Sequence, residues 1–191
     1  MDAAFREFAE KGYDQASTNA IVKDAGIGKG MLFYYFKNKK ALYEYLMEYS
    51  LDVITREYFQ RIDTTEKDFI ERFKQASQIK METYLEHPAL FRFTGTFLVL
   101  HEDDLPEKLK ERVEKVQKKG YSIIYDNIDY SLFRQDIDVE KAFNLIRWSI
   151  DGYQNELKQR LQGQNLATMN FDPMWEEFHE YLEVLKKTFY S

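Results

Sequence analysis

Residues 17–40 read STNAIVKDAGIGKGMLFYYFKNKK, and this stretch decides the fold. Thr18 has the side chain of a helix N-cap, and Ile21, Val22 and Ala25 follow on one helical face. Gly26 supplies the left-handed backbone that ends such a helix. Ile27-Gly28 leaves room for a very short turn before a further helix from about Lys29 to Phe36. Two short helices joined by a tight, glycine-containing turn form a helix-turn-helix.

The second of these helices divides by face. Leu32, Phe33 and Phe36 fall at i, i+1 and i+4 and are expected to anchor it, which leaves Lys29, Gly30, Met31, Tyr34 and Tyr35 outside. Exposed tyrosines can stack on sugars, touch thymine methyls and donate to phosphate oxygens. Gly30 removes a side chain where a helix must come close to something, and the helix N-terminus beside Lys29 adds positive potential for a phosphate. Asn38 reads as the N-cap of the next helix. Its first turn, Lys39-Lys40, is unfavourable against the helix dipole and points to an anion opposite.

Charge supports this reading only locally. The 191-residue chain carries a net charge of -6, yet residues 23–40 hold five lysines against one acid, Asp24. A basic patch attracts phosphate, while an acidic remainder discourages indiscriminate docking on DNA. Upstream, Ala4, Phe5, Phe8 and Ala9 form the stripe of a helix over 2–11, with Gly12 as its stop.

Composition excludes several other classes. Cysteine is absent, which removes disulfide scaffolds, cysteine zinc sites and thiol catalysis. No apolar run approaches the roughly 18 residues of a membrane span, and the opening residues lack the basic and apolar regions of a signal peptide, so secretion is not expected. Eight glycines and three prolines against 15 Phe and 14 Tyr favour long helices. A di-iron bundle enzyme needs two Glu-x-x-His motifs; Glu176-x-x-His179 has no second, and no Ser/His/Asp set or phosphate loop occurs. No catalytic residue, cofactor or metal is expected.

The run Phe8 to Tyr13, then Ser17-Thr18, then Ala25 to Lys39 resembles the DNA-binding domain of the tetracycline-repressor (TetR) family in motif order, spacing and residue type. The resemblance implies an all-α protein of about nine helices, with a helix-turn-helix domain over 1–45 and a ligand-binding and dimerisation domain over 46–191. It implies a cytoplasmic bacterial homodimer, a palindromic operator, and a small-molecule effector that releases it. By matching position, Thr18 would hold a phosphate; Lys29, Gly30, Met31 and Tyr34 would approach base edges or adjacent backbone; Tyr35 and Lys39 would hold phosphates. Two departures stand out. Gly28 replaces the usual serine before the lysine. The chain also starts late against the family pattern, so the domain is expected to be truncated at its N-terminus.

Further helices are expected over about 39–61, from a Thr64-Thr65 cap to 86, over 88–100, 106–128 and 139–162 after an Asp138 cap, and over 173–189. Ser149 and Gly152, three apart, permit close approach of another helix, and the resemblance implies that the last two helices pair with their copies. Ser149, Gly152, Tyr153, Trp175, Phe178 and Tyr181 are the expected dimer interface. Half-sites roughly 34–36 Å apart need two readers held at fixed separation. Phe91, Phe97, Tyr121, Tyr125, Arg147 and Trp148 are candidates for an effector pocket of apolar walls with a few polar groups, although an aromatic core reads the same way. His101 beside Glu102-Asp103-Asp104 reads as a solvated loop. The aromatic surplus favours a largely hydrophobic effector. Control by a protein partner on the same fold, and a helical-bundle enzyme, remain the alternatives.

Overall fold

The computed structural model describes residues 1–98, 105–161 and 170–191. The expected His101–Asp104 loop, the ends of the sixth and eighth helices and most of the loop after residue 162 lie outside them. Among the described residues the long regular elements are all helical: α1 (Asp2–Gln15), α2 (Thr18–Asp24), α3 (Lys29–Tyr35), α4 (Lys39–Val53), α5 (Phe69–Glu86), α6 (Pro88–Leu98), α7 (Glu107–Tyr125), α8 (Val139–Leu161) and α9 (Asp172–Phe189).

Two compact units divide the chain. One holds Met1–Asp63 and Ala76–Asp126, the other Thr64–Gln75 and Asn127–Ser191. This contact division runs across the expected 1–45 and 46–191 division. The reason is the core of the first unit. Phe5 and Phe8 of α1, Ile21 and Val22 of α2, Leu32 of α3, Leu42 and Leu46 of α4, Phe93 and Phe97 of α6 and Leu109 of α7 form one buried cluster. Aromatic rings tie it together: Phe8 meets Tyr43 edge-on at 4.9 Å, and Tyr43 meets Phe93 edge-on at 5.4 Å.

Several boundaries differ from the sequence expectation for local reasons. Gly12 takes φ 70° and kinks α1, as a stop should, but the chain makes another turn to Gln15. Ser17, not Thr18, caps α2: its hydroxyl accepts from the Ala20 N–H at 3.4 Å, while Glu7 accepts from the Ser17 N–H at 2.9 Å. Ala25 is exposed rather than inward. Asn38 caps α4 as expected, its Oδ1 accepting from Ala41 at 2.8 Å. Beyond α4 the winding continues to Arg61, but as a π-helical turn over Ile54–Tyr58 and a 3-10 turn over Phe59–Arg61. Thr83 of α5 meets this wide turn by donating to the Glu57 carbonyl at 3.2 Å. Asp68, not Thr64-Thr65, starts α5, its carboxylate accepting from the N–H groups of Ile70 and Glu71.

The second unit closes on the same aspartate. Lys186 of α9 reaches Asp68 and Glu71, each at 2.7 Å, and the Tyr190 hydroxyl donates to Asp68 at 3.0 Å. Tyr190 and Ser191 also pair with the 132–134 segment: Arg134 N–H donates to the Phe189 carbonyl and Ser191 N–H to that of Leu132, both at 2.9 Å. Phe69, Phe133 and Phe143 pack beneath, with Phe69 and Phe143 edge-on at 4.9 Å. Burial disfavours the Asp68 carboxylate, but the Lys186 ammonium, the Glu71 N–H and the Tyr190 hydroxyl outweigh it and hold its pKa below the usual range. Burial likewise works against the Lys186 charge, yet its two carboxylate partners push its pKa up to about 12. Burial and the Asp68 charge together push the Tyr190 phenol well up.

A group whose folded pKa is depressed stabilises above its unfolded pKa and loses that contribution as pH falls through the folded value. Asp68→Asn should therefore cost about 2 kcal/mol in urea unfolding at pH 7. The gap to the parent chain should narrow once pH drops below about 4, the unfolded carboxylate range; a gap independent of pH would remove the charge from the account.

Candidate DNA interface

α3 has seven residues and one fully inward side chain, Leu32. Isolated helices of that length are not stable, so contacts outside it set both its existence and its direction. Leu32 sits in the shared core, and Phe36, its C-cap, packs half-buried against the same cluster and against Tyr45 at 5.2 Å. Phe33 departs from expectation. It is exposed, and its ring carries the Lys29 ammonium at 5.9 Å instead of anchoring the helix. A stripe of Leu32 and Phe36 suffices because the helix is so short; Phe33 lies about 100° off it.

The opposite face is open. Lys29, Gly30 and Met31 are exposed, and Tyr34 and Tyr35 are 83% and 72% exposed, with rings edge-on at 5.2 Å. A Cβ placed on Gly30 would meet nothing within 4 Å, so nothing inside the protein requires glycine there. Gly28 precedes α3 without a side-chain cap, which leaves the first N–H groups of that helix unpaired by any capping side chain. Gly26, at φ 65°, makes the reversal between α2 and α3.

Charge at this end is sorted by ion pairs. Asp24, the one acid in the basic stretch, is engaged by Arg6 at 2.8 Å, a bond that raises the Arg6 pKa. Lys37 is exposed, and Lys40 stands exposed with Glu44 at 3.7 Å. Lys40 belongs to the Lys39-Lys40 turn expected to face an anion, whereas Lys37, in the same basic run, counts in the charge without an assigned contact. Thr18 is half-buried at the start of α2. Lys39 is turned inward: its Nζ donates to the carbonyls of Asp14 and Ala16, both at 3.1 Å.

Comparison with known proteins agrees with this geometry. Residues 1–46 match the family model described as bacterial regulatory proteins, tetR family. The first 46 residues thus carry the DNA-binding domain described by that family. The chain as a whole is similar to the fatty acid metabolism regulator protein of Bacillus subtilis, 25% identical over 158 residues, 79% of this chain and 77% of that one. Its fold matches the ketosteroid transcriptional regulator KstR2 of Mycobacterium tuberculosis with a TM-score of 0.66, at 20% identity over 100% of this chain and 92% of that one. It also matches the regulator FadR of Bacillus subtilis, in complex with stearoyl-CoA, with a TM-score of 0.53, at 22% identity over 96% and 94%. No helix among the described residues is long and apolar enough to cross a membrane.

The expected effector residues fall in both compact units, four in the first and two in the second. Phe97 is sealed in the core, and Phe91 lies half-buried against it. Tyr121 is exposed and packs on Tyr125 of the same helix at 4.5 Å. In the second unit Arg147 is half-buried, whereas its neighbour Trp148 is 64% exposed. A cleft of about 650 Å³ in the first unit lies elsewhere, between Tyr13 and Asp14, Tyr43 and Met47, and Thr96 with Leu105. The expected interface residues also divide. Ser149, Gly152 and Tyr181 are exposed and Trp175 is half-buried. Phe178 is buried, stacked on half-buried Tyr153 at 5.3 Å, so this pair joins α8 to α9 within the chain. Tyr153 also donates to Glu177 at 3.2 Å. Sequence reasoning missed Leu145 and Val184, exposed apolar side chains of the same two helices.

Exposure separates stability from binding on α3. Gly30→Ala should raise stability by about 0.5–1 kcal/mol in urea unfolding, and Tyr34→Ala should change it by less than about 0.5 kcal/mol. Both should weaken binding to a duplex selected by the parent chain from a random library, Tyr34→Ala more strongly there than on random duplex. Equal losses on both duplexes would count against base reading by Tyr34.

Proposed function

We propose that the chain is a homodimeric repressor that binds a palindromic operator through α3 and is released by a small, largely hydrophobic effector. The observation that carries the DNA side is the exposed Lys29, Gly30, Met31, Tyr34 and Tyr35 face on a helix anchored through Leu32. In this reading Lys29, Gly30, Met31 and Tyr34 meet base edges or adjacent backbone in the major groove, and Tyr35 holds a phosphate. In the same reading Thr18, half-buried at the start of α2, holds a phosphate of the flanking backbone, and Lys37 and Lys40 add exposed charge. Residues 1–45 read DNA, and 46–191 hold the effector and the partner copy.

The exposed apolar side chains of α8 and α9 support dimerisation. Leu145, Trp148, Tyr181 and Val184 face solvent in the protomer, with Ser149 and Gly152 among them as points of close approach. A second copy would remove this surface from water and supply the second reader a two-fold operator requires. The Bacillus subtilis relatives named for fatty acid metabolism and for a stearoyl-CoA complex, and the ketosteroid regulator, support a hydrophobic effector with a long acyl or fused-ring body. Such a ligand acts by binding the non-operator form more tightly, and a preference of a few kcal/mol is enough.

Gly152→Glu should halve the mass in analytical ultracentrifugation, because a charge would be buried at the helix contact; an unchanged mass removes this face from the interface. For the whole reading, the parent chain should retain a selected operator duplex in a mobility-shift assay. Stearoyl-CoA or a ketosteroid, titrated in, should release it, whereas coenzyme A alone should not. Failure to select any duplex would overturn the DNA reading, and release by neither ligand would overturn the effector class.

A further inference from the structure

We infer that Lys39 is a positioning residue that fixes the direction of α3 by locking the start of α4 to the end of α1, and is not a phosphate contact. The inference rests on the reading of α3 as the base reader.

Three observations meet at this side chain. Its Nζ donates to the Asp14 and Ala16 carbonyls, both at 3.1 Å. The same ammonium lies over the Tyr13 ring at 4.8 Å. That ring also meets Tyr43 of α4 at 5.0 Å and stacks on Phe8 of α1 at 6.5 Å, and Phe8 in turn holds Tyr43. Tyr13 is thus gripped by the first residue of α4 on one side and by the fifth on the other. An ammonium has three N–H donors, and two are spent on main-chain oxygens. The half-buried Lys39 contrasts with exposed Lys37 and Lys40 on either side.

The electrostatics favour this arrangement without DNA. A lysine at the first position of a helix faces the positive end of that helix's dipole. The carbonyl oxygens at the end of α1 carry the opposite partial charge, and that of Asp14 in its last turn and that of its C-cap Ala16 accept from Lys39. The anion expected opposite the Lys39-Lys40 pair is therefore supplied, for Lys39, by the end of α1. Only residues 36–38 separate α3 from α4. Asn38 is committed to capping α4, so little slack remains, and the bearing of α3 follows from where α4 begins.

Charge and position predict different salt dependences. A phosphate contact contributes about 0.9 to the slope of log K against log salt; a positioning residue contributes none. Lys39→Met should weaken binding to a selected duplex about tenfold, leave random duplex within about twofold, and leave the salt slope unchanged. Tyr13→Leu, which alters no charge, should weaken the selected complex in the same direction, and the double variant should lose less than the sum. Lys39→Arg, whose fork can reach both carbonyls and stack on Tyr13, should recover most of the loss. Without DNA, amide exchange over 12–17 and 29–42 should quicken in Lys39→Met. A salt slope lower by about 0.9 per lysine, with exchange unchanged, would overturn the inference; so would additive Tyr13 and Lys39 losses. If Lys39→Met does not fold, Lys39→Gln and Tyr13→Leu carry the same readings. The exchange measurement needs no DNA, so its outcome stands apart from the fate of the base-reading assignment.

Discussion

A helix of seven residues has to be held by something other than itself, and in this protein that something is Leu32. Its side chain joins α3 to a core shared with α1, α2, α4, α6 and α7. Because one buried side chain and the half-buried Phe36 do the anchoring, the remaining positions of α3 are free to face outward. The face left over carries two largely exposed tyrosines, a methionine and a glycine. Hydration alone does not call for such a set, but close approach to a grooved surface does. A longer helix would need a wider apolar stripe and would have fewer positions for reading.

Much of this was legible in the sequence because it rests on local chemistry. Glycine at positive φ marks Gly12 and Gly26, an asparagine cap marks the start of α4, and Asp138 starts α8 by accepting from Lys141 at 3.0 Å. The errors fall where two residues compete for one role or where a partner is distant in sequence. Ser17 and Thr18 are both good caps, and the choice fell to Ser17, whose own N–H is taken by Glu7 from α1. Thr64-Thr65 lost to Asp68 because Lys186, more than a hundred residues away, favours a carboxylate there. Phe178 and Tyr181 lie three apart on α9, yet one is sealed against Tyr153 and the other exposed. Spacing cannot divide an apolar stripe into the part that closes the protomer and the part left outside it. The pocket candidates divide in the same way, since Phe97 and Tyr121 are both aromatic residues on helices and only packing makes one core and the other surface.

Net charge is a poor guide to this interface because the charges that matter are sorted pairwise. Asp24 is matched by Arg6, so neither dominates the local field. On α7, Lys108 is matched by Glu48 at 2.7 Å, and Arg112 pairs with Asp52. These ties join α7 to α4 on the surface above their shared core. They are exposed and individually weak, but they add register to a contact whose strength comes from burial.

That contact bears on how a displacement elsewhere could reach α3. Three residues separate α4 from α3, and α4 shares its core with α6 and α7. Close-packed interiors resist compression, so a displacement of α4 is passed on to its neighbours, and α3 has no independent attachment deep enough to resist. The winding of α4 changes at Ile54, where a π-helical turn replaces the regular ladder. Such turns recur at functional positions, and here the wide turn is met by Thr83 of α5. Motion at this junction need not be large. Moving a two-state equilibrium from 1:99 to 99:1 takes about 5.5 kcal/mol of differential affinity, and a packed core tends to switch between discrete arrangements instead of deforming smoothly. A short helix pinned through Leu32 to that core can change its bearing only together with α4.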